Sequence, residues 1–236
     1  MKLVIFDCDG TLVDSQHLIV AAMNQAFRWN GLVELPRVEV LSIVGLSLSF
    51  AIETLLPNQP KSVIDGVSDG YREAYGRLRR DPTHHEPLYP GILELIEALS
   101  MNDEVVLGVA TGKSIRGVDA LFERMNLTHH FHTIQTADTH PSKPDPSMIL
   151  KAMSDAGTQP EATVMIGDTS FDIEMARQAG VLPIGVSWGY HSYRVLEEAG
   201  AAHIVDDATE LQARIASHFS HHNPALLPFT TTKSQP

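Results

Sequence analysis

The sequence has little cysteine and few basic residues. Its 236 residues include one cysteine, Cys8, so no disulfide bond can form within the chain. Lysine and arginine together number 17, against 29 aspartates and glutamates. The formal net charge of −12 argues against nonspecific binding to nucleic acid. An acidic protein that binds an anionic substrate must offset its own negative potential at the binding site, with a metal ion, a lysine or backbone amides.

The sequence also lacks a long apolar run. No stretch approaches the roughly 20 residues that a membrane-spanning helix needs. Acidic residues follow the first short apolar run, at Asp7 and Asp9, so the N-terminus lacks the long apolar segment of a signal peptide. We therefore expect a soluble cytoplasmic protein with no membrane partner. Hydrophobic residues make up 43% of the chain, which is enough for a core in one large domain or two smaller ones.

A pair of acids follows the first apolar run. Residues 3–6 are all apolar, which predicts a strand buried on both faces, as in a parallel sheet. Asp7 and Asp9 come next, and alternate residues of an extended chain point to the same side. We therefore expect both carboxylates to face one spot, with Cys8 on the opposite side in the packing. Ligands of open α/β sheets bind at this end of the strands, and two neighbouring carboxylates repel unless a cation lies between them.

A helical stretch then interrupts the pattern. Residues 14–87 show apolar residues at helical spacing, and no strand pattern returns until about Glu104. Breaks near Gly31, Gly45 and Pro57 divide the stretch into short helices. Four arginines lie near the end of the last of these helices, where a solvated helix face is the simpler interpretation and contact with a substrate is the alternative. They are Arg72, Arg77, Arg79 and Arg80.

Thr111 marks the end of the second predicted strand. This strand covers residues 104–110, and a helical pattern begins at Ile115. The hydroxyl of Thr111 and the free backbone N–H groups near Gly112 and Lys113 would lie at a helix N-terminus, which favours anions. A simple strand-to-helix turn with a capping hydroxyl explains this short stretch equally well.

Lys143 lies between Ser142 and Pro144. The proline restricts Lys143 to extended backbone and so holds it on a rigid loop, which suits an ammonium group that grips a phosphate in one pose. A helix is predicted next, from Ser147 to Ala156, and Asp145 suits its N-cap and Pro146 its first helical position.

Two further acids follow a third buried strand at residues 163–166. Asp168 lies at the strand tip and Asp172 one helical turn later. More strands are predicted at residues 181–186 and 202–205. The histidines are predicted to pack around a short strand or to lie on the surface, because no spacing completes a metal site. They are His129, His130 and His132, together with the pairs His84–His85 and His221–His222.

These stretches, taken in order, resemble the four motifs of the haloacid dehalogenase superfamily of phosphotransferases. The matches are Asp-x-Asp-x-Thr at Asp7, a threonine at Thr111, a lysine before proline at Lys143, and Gly-Asp-Thr-x-x-Asp at residues 167–172. The helical insertion is similar to the cap of the phosphoglycolate phosphatase-like branch, and Gly45 lies in a loop that resembles one reaching down to the substrate.

The resemblance implies an α/β fold, a doubly wound and mainly parallel sheet with an inserted all-helical cap domain. The catalytic core would comprise residues 1–13 and 88–219. The cap would comprise residues 14–87, and residues 220–236 would form a loose C-terminal tail.

The resemblance also implies the roles of the site residues. Asp7 would be the nucleophile that forms an aspartyl-phosphate, and Asp9 would protonate the leaving group and then activate water. Mg²⁺ would be bound by Asp7, by the backbone carbonyl of Asp9 and by Asp168. Thr111, the Gly112 amide and Lys143 would bind the phosphoryl oxygens. Asp172 would orient Lys143 or a metal-bound water.

The predicted activity is therefore that of a hydrolase, a phosphatase that acts on a small-molecule phosphate ester, with 2-phosphoglycolate as the first candidate. An acid at Asp9 excludes the dehalogenases themselves. A β-phosphoglucomutase-like phosphomutase and a pyrophosphatase remain alternatives, as do sugar phosphates and nucleotides as substrates. A non-catalytic receiver-like phospho-acceptor protein is a remote alternative, since receivers lack both the insertion and the second acid. We expect a monomer or a homodimer.

Overall fold

The computed structural model describes residues 1–81 and 85–222, with side chains through residue 220. The strands of the described chain are β1 (Lys2–Phe6), β2 (Val105–Thr111), β3 (Phe131–Thr136), β4 (Thr163–Gly167), β5 (Leu182–Val186) and β6 (His203–Val205). They form one six-stranded sheet in the order β3-β2-β1-β4-β5-β6, and every neighbouring pair is parallel. The predicted parallel α/β sheet is confirmed.

Helices connect the strands and cover the sheet. In the described chain they are α1 (Gln16–Trp29), α2 (Arg37–Leu41), α3 (Leu48–Leu55), α4 (Lys61–Leu78), α5 (Ile92–Ser100), α6 (Ile115–Met125), α7 (Ser147–Ala156), α8 (Ser170–Ala179), α9 (Tyr193–Ala199) and α10 (Ala208–His222). No described helix combines the length and the apolar character that crossing a membrane requires.

Strand β1 lies in the middle of the sheet, between β2 and β4. Phe6 is in register with Val109 of β2 and with Ile166 of β4. The carboxyl ends of these three strands are therefore side by side, and the residues that follow them meet at one edge of the sheet.

Both faces of β1 are covered. Val4 and Phe6 pack into the apolar layer that contains residues of α5, α6 and α10, and Leu3 and Ile5 pack into the layer that contains residues of α7 and α8. This arrangement explains the unbroken apolar run, because a strand between two helical layers has no polar face. Cys8 is buried in the first layer, as predicted.

Helices α1 to α4 share a separate apolar cluster, and no strand lies within residues 14–81. This segment joins the rest of the chain where Val13 forms an isolated bridge with Leu88, and the Asp14 amide donates to the Pro87 carbonyl at 2.9 Å. We call these paired residues 13–14 and 87–88 the hinge, and residues 14–87 the cap segment. Its standing as a separate domain, with the core and tail boundaries given above, stays a prediction.

The helix predicted at Ser147–Ala156 is confirmed as α7, but Pro146 is its N-cap, so the predictions of Asp145 as N-cap and Pro146 as first helical residue were wrong. The Asp145 carboxylate instead accepts from the Ser147 amide at 2.9 Å and so supports the first turn from one residue earlier. Helix α5 begins at Ile92, and the Tyr89 amide before it donates to the Leu12 carbonyl at 3.0 Å.

The C-terminal helix is longer than predicted. Helix α10 runs to His222, so the first residues of the predicted tail, from Ser220, are helical. The rest of that tail, residues 223–236, lies outside the described residues, as does His84.

Candidate active site

Asp7 is a buried carboxylate that lacks hydrogen-bond donors. It follows β1, it is 1% exposed, and neither of its side-chain oxygens accepts a hydrogen bond of ordinary geometry from the described residues. Lys143 Nζ lies 3.0 Å from its Oδ1 as an ion pair. Burial, with a smaller contribution from the nearby Asp172, raises the pKa of Asp7 to about 6 against the attraction of Lys143. A carboxylate in this state is suited to binding a cation.

Asp168 and Asp172 lie beside Asp7. One carboxylate oxygen from each of the three residues lies within 4.8 Å of the other two. Thr11 Oγ1 donates to Asp168 at 2.8 Å and the Tyr190 amide donates to it at 2.9 Å. Burial, then Asp172 and Asp7, raise the pKa of Asp168 well above its ordinary value. The three acids form one repulsive cluster, so the fold must hold them in place.

The start of α8 fixes Asp172. Thr169 and Asp172 form a capping box, in which the Asp172 carboxylate accepts from the Thr169 amide at 3.1 Å. This reciprocal pair satisfies free N–H groups at the helix N-terminus. The cap at the start of α8 therefore holds the Asp172 carboxylate near Asp168.

Gly10 gives Asp168 its space. Its φ is +88°, and a Cβ on this residue would lie 2.3 Å from Asp168 Oδ2. Such a contact is far closer than non-bonded atoms allow, so the backbone turn after Asp9 needs glycine both for its conformation and for its small size.

The acid cluster fits Mg²⁺ or a similar ion. Magnesium prefers oxygen ligands, and the cluster offers three buried carboxylates, including the two unpartnered oxygens of Asp7. The side chain of Asp9 is not part of this group, which contains Asp172 instead. Our metal assignment for Asp9 concerned its backbone carbonyl and stays a prediction.

Lys143 is the cation of this site. Its side chain is 0% exposed, and its ammonium lies 2.6 Å from Asp172 Oδ1 and 3.0 Å from Asp7 Oδ1. Burial favours the neutral amine, but Asp172 and then Asp7 outweigh it and raise the pKa of Lys143. The lysine is therefore charged, and Asp172 holds it next to Asp7.

Thr111 and Gly112 lie beneath the loop of the cap segment that contains Gly45 and Leu46. A Cβ on Gly112 would lie 2.5 Å from the Leu46 carbonyl oxygen and 2.6 Å from that of Gly45. The Ser47 amide donates to Ser142 Oγ at 2.9 Å, next to Lys143. This loop therefore contacts the sheet edge at Gly112, a predicted site residue, and at Ser142, the neighbour of Lys143.

The Asp9 carboxylate has partners that the sequence did not reveal. It accepts from Ser15 Oγ at 2.6 Å and from Lys113 Nζ at 2.8 and 3.1 Å. Lys113 also donates to the Tyr75 hydroxyl at 2.8 Å. The sequence shows Lys113 directly after the Thr111–Gly112 pair, but its partners come from distant segments, and no local pattern connects them.

A cavity of about 840 Å³ opens above Asp7 and Asp9. Its lining includes Thr111, Lys113, the loop at Gly45 and a set of arginines at the end of α4 and the start of α6. These arginines are Arg72, Arg77, Arg79, Arg80 and Arg116.

The arginines differ in their pairing. Arg72 pairs with Asp69, and Arg77 pairs with Glu73. Arg79, Arg80 and Arg116 form no ion pair with any residue that the structure describes. The cavity thus has an acidic base and a basic wall.

None of the histidines that the structure describes belongs to the acid cluster. His129 and His130 precede β3 and stack on each other with ring centroids 4.0 Å apart, and His130 contacts Ser100 Oγ at 2.9 Å. Within residues 1–81 and 85–220, the acid cluster is the group of side chains that could hold a metal, and it contains no histidine.

Known proteins resemble this chain over most of its length. A family model described as haloacid dehalogenase-like hydrolase matches residues 4–186. The protein named "Probable phosphatase IndB" of Dickeya dadantii (strain 3937) is 36% identical over 213 residues, covering 89% of this chain and 91% of that protein. The phosphoglycolate phosphatase of Agrobacterium fabrum is 34% identical over 203 residues, covering 83% and 84%.

A solved structure shows the same fold. The crystal structure of a predicted phosphatase from Clostridium acetobutylicum matches with a TM-score of 0.81 at 26% identity, over 92% of this chain and 98% of that chain. The six-stranded parallel sheet is the α/β core of a haloacid dehalogenase-like hydrolase. The chain belongs to the haloacid dehalogenase-like hydrolase family, within the phosphoglycolate phosphatase-like branch.

Proposed function

We propose that this chain, a phosphatase of the haloacid dehalogenase-like family, is a Mg²⁺-dependent phosphomonoesterase that works through an aspartyl-phosphate on Asp7. The observation that carries the proposal is the state of Asp7. It lies at the base of a large cavity beside two acids and a buried lysine, and neither carboxylate oxygen accepts a hydrogen bond of ordinary geometry from the described residues, although Oδ1 forms an ion pair with Lys143. A nucleophile needs such free oxygens.

The proposed reaction has two steps. An Asp7 oxygen attacks phosphorus, the bond from phosphorus to the ester oxygen breaks, and Asp9 gives its proton to the departing alcohol. Water then attacks the aspartyl-phosphate, Asp9 takes a proton from that water, and inorganic phosphate leaves with the Asp7 carboxylate restored. Asp9 lines the same cavity as Asp7, so both residues can reach one substrate.

The transferring phosphoryl group needs positive partners. In the proposal, Lys143, the Thr111 hydroxyl and the Gly112 amide hold its oxygens. Asp172 holds Lys143 in place through its 2.6 Å contact. Asp7, Asp168 and the Asp9 carbonyl would bind Mg²⁺, which when bound offsets the negative charge of the phosphoryl oxygens.

The first candidate substrate is 2-phosphoglycolate. Two observations support it: the phosphoglycolate phosphatases among the relatives, and the unpaired Arg79, Arg80 and Arg116 of the cavity wall, which suit a second negative charge. A phosphomutase is less well supported, because Leu46 and Ser47, rather than basic residues, follow Gly45 in the loop over the site.

A larger phosphate ester is the second candidate. The cavity of about 840 Å³ lies in the upper part of the range of roughly 300–1,000 Å³ seen for sites that take drug-sized ligands. A two-carbon ester would leave most of this space to water. The volume therefore favours a substrate with a sugar-sized or larger alcohol.

The test is a panel of phosphate esters assayed with Mg²⁺ and with EDTA. We expect p-nitrophenyl phosphate to be hydrolysed in the presence of Mg²⁺ and not in EDTA. We also expect one ester of the panel to have a higher kcat/KM than the others. The panel contains 2-phosphoglycolate, sugar phosphates, nucleotides and pyrophosphate. Full activity in EDTA would contradict the metal assignment, and no hydrolysis of any ester would contradict the proposed function.

The substrate charge is tested separately. We expect Arg116→Gln to raise KM for esters with a second negative group and to leave p-nitrophenyl phosphate unaffected. The matched control is Arg194→Gln, on the exposed face of α9, where the arginine pairs only with Glu198.

A further inference from the structure

Lys113 connects three separate parts of the chain. Its side chain is 8% exposed and its ammonium lies 2.8 Å from the Asp9 carboxylate, 2.8 Å from the Tyr75 hydroxyl and 3.5 Å from Glu86 Oε1. Asp9 follows β1, Tyr75 lies in α4 of the cap segment, and Glu86 precedes the hinge. The ammonium group donates hydrogen bonds to both Asp9 carboxylate oxygens and to the Tyr75 hydroxyl, and its contact with Glu86 is an ion pair.

Glu86 is the centre of the other half of this network. It is 3% exposed, it accepts from the Tyr75 hydroxyl, and Arg124 of α6 donates to it at 2.9 Å. The same carboxylate thus contacts a cap residue, Tyr75, and two core residues, Lys113 and Arg124. A carboxylate buried to this degree is stable only when all such partners are in place.

These contacts lie where movement of the cap segment would break them. Glu86 directly precedes the paired residues 87–88 of the hinge, and Tyr75 lies near the C-terminal end of α4. Rotation of the cap segment about the hinge would carry Tyr75 away from Lys113, which is fixed in the turn after β2. The full set of contacts therefore forms only when Tyr75 of the cap segment lies against Lys113, as it does here. We call this arrangement closed.

We propose that Tyr75 and Glu86 position Lys113, and that Lys113 holds the Asp9 carboxylate in its working orientation beside Asp7 when the cap segment is closed. Lys113, Tyr75 and Glu86 are positioning residues in this scheme, since they act through Asp9. The inference rests on the proposed function, because it needs Asp9 as the acid and base. It couples closure over a substrate to the orientation of the proton donor.

Leaving-group dependence tests this role. An alkyl phosphate needs a proton from Asp9 to release its alcohol, whereas p-nitrophenolate leaves without one. We expect Tyr75→Phe to lower the single-turnover rate of an alkyl phosphate at least tenfold. The burst of p-nitrophenolate from p-nitrophenyl phosphate should stay within about threefold of wild type. A structural defect would lower both rates together.

The same assay is applied to Glu86→Gln and to Lys113→Met and Lys113→Arg. We expect Lys113→Arg to recover part of the alkyl-phosphate rate that Lys113→Met loses, since arginine keeps the charge. Tyr193→Phe and Glu198→Gln, both exposed on α9, are the matched controls and should behave as wild type. Tyr75→Phe removes a single hydroxyl, so it keeps the test valid if Glu86→Gln does not fold.

Two outcomes would overturn the inference. Equal changes of both rates in Tyr75→Phe, including no change in either, would show that Asp9 does not depend on this network. A rise in KM with kcat unchanged would show that Lys113 binds substrate directly. A wild-type protein without a phosphorylated Asp7 intermediate would instead refute the proposed function, and that result is independent of the Tyr75 variant.

Discussion

Lys143 reaches Asp7 and Asp172 at once, at 3.0 Å and 2.6 Å, with no exposed surface of its own. One ammonium therefore lies among three carboxylates, because Asp168 completes the cluster. The charges do not balance within the chain, and the excess is negative. The site is built to receive a further cation, and its stability should depend on that cation.

Asp7→Asn should abolish hydrolysis and leave the fold intact. The amide cannot attack phosphorus, and the substitution removes one charge from the repulsive cluster, so the free energy of unfolding without metal should not fall. Steady-state assays and urea denaturation in EDTA measure the two effects. A variant that keeps a tenth of wild-type activity would contradict the covalent route.

Lys143→Met should destabilise the metal-free protein by about 3–5 kcal/mol, because it leaves buried carboxylates without their counter-charge. The measurement is urea unfolding at pH 7.5 in EDTA. Lys151→Met is the matched control, since Lys151 is exposed and pairs only with Asp155 within α7. That control should cost less than about 1 kcal/mol. Similar losses in both variants would show that Lys143 carries no special electrostatic role.

Mg²⁺ should raise the melting temperature more at pH 8 than at pH 5. The pKa of Asp7 is about 6 in the folded metal-free protein, above its ordinary value of 3.8, so the folded state holds a proton that the unfolded state has lost between these values. Stability from this group is present below pH 4 and is lost as the pH rises through 6. Asp168 acts in the same direction.

A metal ion binds the deprotonated cluster and offsets this loss, which is why its effect grows with pH. Differential scanning fluorimetry with and without Mg²⁺ gives the two increments. In Asp7→Asn the difference between pH 5 and pH 8 should shrink. Equal increments at both pH values in the wild type would show that Asp7 is not a ligand.

Gly112→Ala should lower kcat/KM by displacing the loop of the cap segment. The new methyl group would meet the carbonyl oxygens of Leu46 and Gly45 at 2.5 and 2.6 Å, and both are backbone atoms that cannot rotate away. Gly76→Ala provides the contrast, because outside its own helix backbone and chain neighbours no atom of the described residues lies within 4 Å of a Cβ there, and alanine favours the α4 helix by about 1 kcal/mol. Unchanged kinetics in Gly112→Ala would mean that this closed loop contact is not used in catalysis.

Much of the sheet edge could be predicted because it depends on local patterns. The apolar run before Asp7, the strand before Asp168 and the threonine at the end of β2 can each be located from a few neighbouring residues, and the parallel register then brings them together. The Lys143–Asp172 contact was also expected, although from family resemblance and not from spacing.

Other features depend on tertiary contacts that no local pattern contains. The Lys113 pairing with Asp9 needs α4 and the hinge to be folded against β2 before Tyr75 and Glu86 can complete it. The N-cap of α7 depended on how far the Asp145 side chain reaches, which the residue type alone does not determine. Side chains that bridge segments are the ones that sequence reasoning missed.

The central position of β1 has a consequence for synthesis of the protein on the ribosome. The proposed nucleophile is synthesised before β4, the strand that holds β1 on one side and begins at Thr163. Asp168 and Asp172 emerge later still. A nascent chain that has not yet reached Asp172 thus carries Asp7 but cannot surround it, and hydrolytic competence arises only after these acids have been added.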